Sequence, residues 1–210
     1  MDINLLANIT SFPAGVACLL ISLRAFYVYR LSGKDLLSII GLAMGTIALT
    51  VFVGNIGDSH LGGNHFSTEW ARAVGSWSGA LFIFLSSLVK SHEQVKHLRR
   101  WQITTAVVFI ILIALMPVLP PLGGPLVSGV INSVRMVIYG CACLRYASLY
   151  VSKKTRFSLI VGTAFLVLEV GFGLYMPHLL FPASFVLLSI LSAFIRAAGF
   201  FTLMIAYSMG

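Results

Sequence analysis

Charge is scarce in this chain. Of 210 residues only 10% are charged, six of them acidic, whereas 59% are hydrophobic. Together with a mean hydropathy of +0.98, this excludes an ordinary soluble domain, in which about a quarter of residues are charged. Cysteine is nearly absent: Cys18, Cys141 and Cys143 each fall inside an apolar stretch, so no disulfide framework is implied. The Cys141-Ala142-Cys143 spacing sets its two thiols on different sides of a helix, where they serve as small fillers. Gly-x-Ser-x-Gly, P-loop and His-Glu-x-x-His sequences are missing, and with them the usual hydrolase and nucleotide sites; no enzymatic activity is expected. No lysine lies deep in the last apolar stretch, where Arg196 stands instead, which excludes a retinal Schiff base. The opening Met1-Asp2-Ile3-Asn4 lacks the basic start of a cleavable signal, so the first stretch reads as a retained span.

What the chain has in abundance is apolar runs. They lie at 8–29, 35–54, 68–89, 102–119, 125–149, 157–177 and 183–207, each long enough for the about 20 helical residues that cross a bilayer. Positive charge falls on alternate connections: Arg30 and Lys34, with Arg24 just inside; the run Lys90 to Arg100; and Lys153, Lys154 and Arg156. The opposite connections, 55–67, 119–124 and 178–182, contain no Lys or Arg. By the positive-inside rule the N-terminus is outside and the C-terminus cytoplasmic. The expected fold is an all-α integral membrane protein, one domain over 1–210 with seven transmembrane helices in the cell membrane. The net charge of +8 then meets anionic lipid head groups rather than nucleic acid. Because the last span runs to Ser208-Met209-Gly210, no soluble output domain is expected after it.

The first three spans can be laid over the last three. Ser22-Leu23-Arg24 matches Ser133-Val134-Arg135, Ser38-Ile39-Ile40 matches Ser158-Leu159-Ile160, and Phe52 falls on Phe172. Arg72-Ala73-Val74-Gly75 matches Arg196-Ala197-Ala198-Gly199. Such a 3+1+3 plan, with repeats 8–89 and 125–207 joined by the helix at 102–119, is a parallel repeat of the kind known in transporters.

Charged residues within spans are the strongest functional signal in such a chain. Arg135, Glu169 and Arg196 fall within about two helical turns of one depth at 1.5 Å per residue. A carboxylate between two guanidiniums leaves one positive charge over, suited to a small anion held by bidentate hydrogen bonds; the bland alternative is an interhelical ion pair that sets register. Arg72, the repeat partner of Arg196, and the polar aromatics Tyr139 and Tyr175 complete the candidate ligand site; Trp77 is a further aromatic that could line it. Glu69 and Arg72 share a face at i, i+3, and Trp70 sits at the depth of an interfacial anchor.

No cofactor or metal is expected. His60, His65 and His178, with Asp58, gather on the outer side but match no strong metal spacing, and His92 and His97 read as solvated loop residues. Gly41 with Gly45 and Gly75 with Gly79 form Gly-x3-Gly pairs, which suit close helix packing.

Three segments, Arg30-Leu31-Ser32-Gly33-Lys34, Trp70-Ala71-Arg72 and Leu98-Arg99-Arg100-Trp101, carry a resemblance along with the final Phe194-Ile195-Arg196-Ala197-Ala198-Gly199-Phe200-Phe201. With these the chain resembles the seven-helix sensory modules of prokaryotic histidine kinases and related membrane-associated sensors. The resemblance implies a receptor that binds a small, anionic or amphiphilic ligand within the bundle and signals through a cytoplasmic partner protein, since no output domain of the kind in those modules is expected here. The alternative is a small transporter of an anionic solute along a pseudo-symmetric path.

Overall fold

The computed structural model describes residues 3–60, 68–120, 124–180 and 186–209. Among them the chain forms seven helices: α1 (Ile3–Ser32), α2 (Asp35–His60), α3 (Glu69–Leu88), α4 (His92–Leu115), α5 (Gly124–Lys153), α6 (Arg156–Leu180) and α7 (Val186–Met209). Among the described residues, six of them are long and apolar enough to cross a membrane. This fits a multi-pass membrane protein, because a helix satisfies its own backbone groups where lipid offers no partner. The seventh expected span, α5, forms over 30 residues. It carries Asn132, Ser133, Arg135 and Arg145, and residues 124–126 and 128 near its start lie outside those whose side chains are described.

One correction concerns the basic run at 90–100, expected as a loop. Most of it is helix, because α4 starts at His92 rather than at 102. The Ser91 hydroxyl accepts from the Gln94 N–H and the Gln94 side chain accepts from the Ser91 N–H, both at 3.3 Å. This reciprocal capping box starts the helix. Hydropathy marks where lipid begins, and the cap marks where the helix begins. His97 is therefore no loop residue; its Nε2 accepts from Trp101 Nε1 one turn later at 2.8 Å. α2 likewise runs on to His60 instead of ending near 54.

Two helix ends close alike. Gly33 takes φ +65° and donates its N–H to Tyr29 O at 2.8 Å, ending α1. Lys154 takes φ 50° and donates to Tyr150 O at 2.7 Å, ending α5, although this left-handed conformation costs a non-glycine residue on the order of 1 kcal/mol. The following helices also open alike. Ser38 Oγ donates to Asp35 O at 2.7 Å, and Ser158 Oγ donates to Thr155 O at 2.8 Å.

The chain divides into two compact units. One spans Cys18–Leu122. Within it Ser22 Oγ of α1 donates to Gly41 O of α2 at 2.7 Å, and the Phe26 ring fills the space beside Gly41. α3 closes on α2 at Gly79, where an added Cβ would stand 2.5 Å from Ile47 Cγ1 and 2.9 Å from Ala43 O. α4 docks through Gln102, only 2% exposed, whose Nε2 donates to Ile39 O at 2.7 Å. One turn earlier Arg99 Nη1 meets Asp35 Oδ1 at 2.6 Å, with the guanidinium over the Tyr29 ring. Ala71, Phe109 and Met116 form the core between α3 and α4.

The Arg99–Asp35 pair is partly exposed, at 36% and 15%. Solvent screening therefore limits its worth, and Arg99→Gln is expected to cost no more than about 1 kcal/mol. Unfolding in denaturing detergent at low and high salt checks this. A loss of several kcal/mol independent of salt would mean that Arg99 carries packing rather than a screened charge pair.

The other unit comprises Met1–Ala17 with Gly123–Gly210. α6 lies between α5 and α7 and packs against both. Its close approach to α7 is set by Gly199, where an added Cβ would stand 2.7 Å from Leu168 Cγ and 3.3 Å from Ala164 O.

Candidate functional site

An aromatic column occupies the α5–α6–α7 unit. At one end the side chains of Tyr146 and Tyr207 lie beside each other. Tyr146 leans on Phe165 with ring centroids 5.6 Å apart, and Tyr139 stacks on Phe165 at 5.9 Å. Tyr139 then stacks on Phe172 at 5.4 Å, with an interplanar angle of 17°. The order follows from helical spacing. Tyr139 and Tyr146 are seven apart on α5, and Phe165 and Phe172 are seven apart on α6, so each pair shares a stripe two turns long.

Phe172 is where charge meets this column. The Arg135 guanidinium from α5 lies 5.5 Å from its ring centroid, and that of Arg196 from α7 lies at 5.2 Å. Arg196 is also 5.1 Å from the Tyr175 centroid, and its Nε donates to Ser192 O at 3.3 Å. Tyr175 follows Phe172 by three residues, so the two rings flank the same guanidinium. Arg196 reaches them because Gly171 has no side chain; a Cβ there would stand 2.7 Å from Arg196 Cγ. Cations over aromatic faces contribute roughly 0.5–2 kcal/mol each, more where water is excluded.

Of the six expected ligand residues, Arg135, Tyr139, Tyr175 and Arg196 thus meet at or beside Phe172. Glu169 belongs to the same unit but stands apart. Its Oε1 lies against Gly140 of α5, 2.8 Å from where a Cβ would be, and among the described residues it forms no ion pair with either arginine. The expected carboxylate between two guanidiniums is replaced by an aromatic ring between them. Helix rotation is the reason: Glu169 and Gly171 are two residues apart, about 200° around α6. One therefore faces the α5 seam and the other the α7 seam. Tyr139, 1% exposed, packs as core. Arg72 belongs to the other unit, where its guanidinium lies over Gly54 of α2.

Phe172 is the residue that sequence reasoning passed over, having used it only to align the repeats. Its signal was its spacing, three residues after Glu169 and three before Tyr175. Trp77, expected with the polar aromatics, lies in the other unit between α3 and α4. Trp70 Nε1 donates to Pro120 O at 2.8 Å, tying the start of α3 to the end of the α4 segment.

No group of three or more potential metal ligands occurs among the described residues. The outer cluster of Asp58, His60, His65 and His178 lies outside those whose side chains are described. The cysteines are free: Cys18 is buried, Cys141 is exposed and Cys143 is intermediate. In comparisons with protein families, characterised proteins and solved structures, nothing matches this chain.

Proposed function

We propose that this chain is a multi-pass membrane receptor or sensor module, with its N-terminus outside and C-terminus cytoplasmic. It holds a small anionic or amphiphilic ligand at the α5–α6–α7 cluster and passes the signal to a cytoplasmic partner protein. The observation that carries this reading is the convergence of Arg135 and Arg196, from two helices, on one ring of the helix between them. Like charges brought together in this way raise the local positive potential. An anion accepting from both guanidiniums lowers it, and charge-assisted bidentate bonds are about twice as strong as neutral ones. Because the donors come from α5 and α7, such a ligand favours whichever packing of α6 brings them closest. Differential affinity of this kind biases a two-state bundle.

The test is a thermal-shift screen of the purified protein in detergent against small carboxylates, sulfonates, phosphates and their single-chain amphiphiles. A true ligand at a hundred times its Kd stabilises the wild type by about 2.7 kcal/mol. Arg135→Gln and Arg196→Gln should each abolish that gain while keeping wild-type helicity. Equal stabilisation of wild type and both variants would remove the cluster from the site.

A transporter is the second reading, favoured by the matched hairpins. Lys34 and Lys154 align when α2 is laid over α6, and both helices follow a left-handed closing residue and open with the same serine-to-carbonyl bond. In each unit an arginine of the repeated Arg-Ala-x-Gly also lies over a glycine of the preceding helix, Arg72 on Gly54 and Arg196 on Gly171. Both observations support a 3+1+3 repeat. Transport requires anion flux in liposomes without a partner, and proton coupling through Glu169 would be lost in Glu169→Gln. Ligand binding without flux supports the receptor.

A further inference from the structure

The unit built from residues 18–122 carries a second feature, independent of the arginine cluster. Between α3 and α4 runs an open groove of about 800 Å³, within the usual size of small-molecule sites. Trp77, Leu81 and Leu85 of α3 line its apolar length, and Glu93, Gln94, His97 and Trp101 of α4 line its other end. From Trp77 to Val89 the α3 side covers about 18 Å at 1.5 Å per residue. The groove is therefore long, apolar at one end and polar at the other.

We infer that this groove seats one acyl chain of an anionic phospholipid, with the headgroup at the polar lip. Three observations carry the assignment. First, the lip consists of residues in the basic connection and the first turns of α4, where lipid headgroups lie in the orientation proposed above. Second, the segment bordering the lip carries net positive charge, which attracts an anion. Glu93 and His97 line the groove, and Lys96 and Arg100 border them on the stripe i, i+3, i+4, i+7 of α4; with Lys90 just before it, this segment holds three permanent cations beside the one lining carboxylate. Third, Trp101 is 60% exposed beside the lip and holds its indole N–H on His97. An amphipathic ring at that level is typical of a headgroup boundary. The α4 helix is also the least buried of the six candidate spans, so lipid has access to the groove along its length.

Native mass spectrometry of the detergent-purified protein, titrated with phosphatidylglycerol or phosphatidylcholine of the same acyl chains, tests this. The wild type should retain one phosphatidylglycerol in preference to phosphatidylcholine. Each of Lys96→Gln and Arg100→Gln should lower the apparent phosphatidylglycerol affinity about fivefold, the worth of one basic charge near an anionic surface. Leu85→Trp, which fills the groove, should abolish retention of both lipids; circular dichroism and gel filtration confirm that it still folds. Retention in Leu85→Trp equal to wild type would show annular lipid only and overturn the assignment. So would equal affinity for the two lipids, or a lipid-free dimer of wild type that Leu85→Trp converts to monomer, since the groove would then seat a second copy. Neither result bears on the Arg135–Arg196 site, whose own variants lie in the other unit.

Discussion

Phe172→Ala is expected to destabilise the α5–α6–α7 unit by about 3–5 kcal/mol, the range for truncating a buried aromatic ring. Phe172 is only 4% exposed, and no neighbour can collapse into its space without giving up another contact. Tyr139 would lose its stacking partner, and two guanidiniums would lose the face they rest on. Phe172→Leu separates these contributions. Leucine keeps much of the apolar bulk but has no ring quadrupole, so it should cost the cation–π share, roughly 1–3 kcal/mol for two arginines. Phe172→Trp keeps a face for both cations and should bind anions where Phe172→Ala does not. Equilibrium unfolding in denaturing detergent gives the stabilities, and a double-mutant cycle of Phe172→Leu with Arg196→Gln gives the coupling. A coupling near zero would mean that the arginines merely lie near the ring. The two guanidiniums would then have to be held by other contacts, and the proposed site would lose its floor.

In the other unit the largest effect is expected from Gly79→Val. The first added carbon would meet Ile47 Cγ1 at 2.5 Å and the Ala43 carbonyl oxygen at 2.9 Å. The isoleucine can change rotamer, whereas a helix carbonyl cannot move without breaking its own hydrogen bond. α2 and α3 must therefore separate, and the cost should reach or exceed the upper end of the about 1–3 kcal/mol typical of overpacking. Gly162→Ala is the matched control. Its nearest neighbours would be Tyr146 Cβ at 3.5 Å and Ala147 N at 3.7 Å, which is ordinary contact, so alanine's higher helix propensity should make it neutral or stabilising by up to about 1 kcal/mol. If Gly79→Val and Gly162→Ala unfold alike, the α2–α3 contact is looser than these distances require.

Six of the expected spans needed nothing beyond hydropathy and length. The start of α4 was also legible, in Ser91-x-x-Gln94, but hydropathy hides it because a capping box works outside the lipid as well as within it. The places of Arg135, Glu169 and Arg196 along α5, α6 and α7 were legible from the sequence. Their partners were not. A run of apolar residues looks the same from every side, so sequence leaves each helix free to rotate about its axis, and only rotation separates Glu169 on the α5 side from Gly171 on the α7 side.

Composition, hydropathy period and charge spacing were therefore sufficient for an all-α chain with candidate spans and for the costly charges within them, because each is a property of one segment and its solvent. Which face of α6 meets which neighbour, and that an aromatic ring rather than a carboxylate lies between the two arginines, came from packing. The glycines at 171, 140 and 79 allow close approach along particular seams, and that is a relation between helices which no single segment contains.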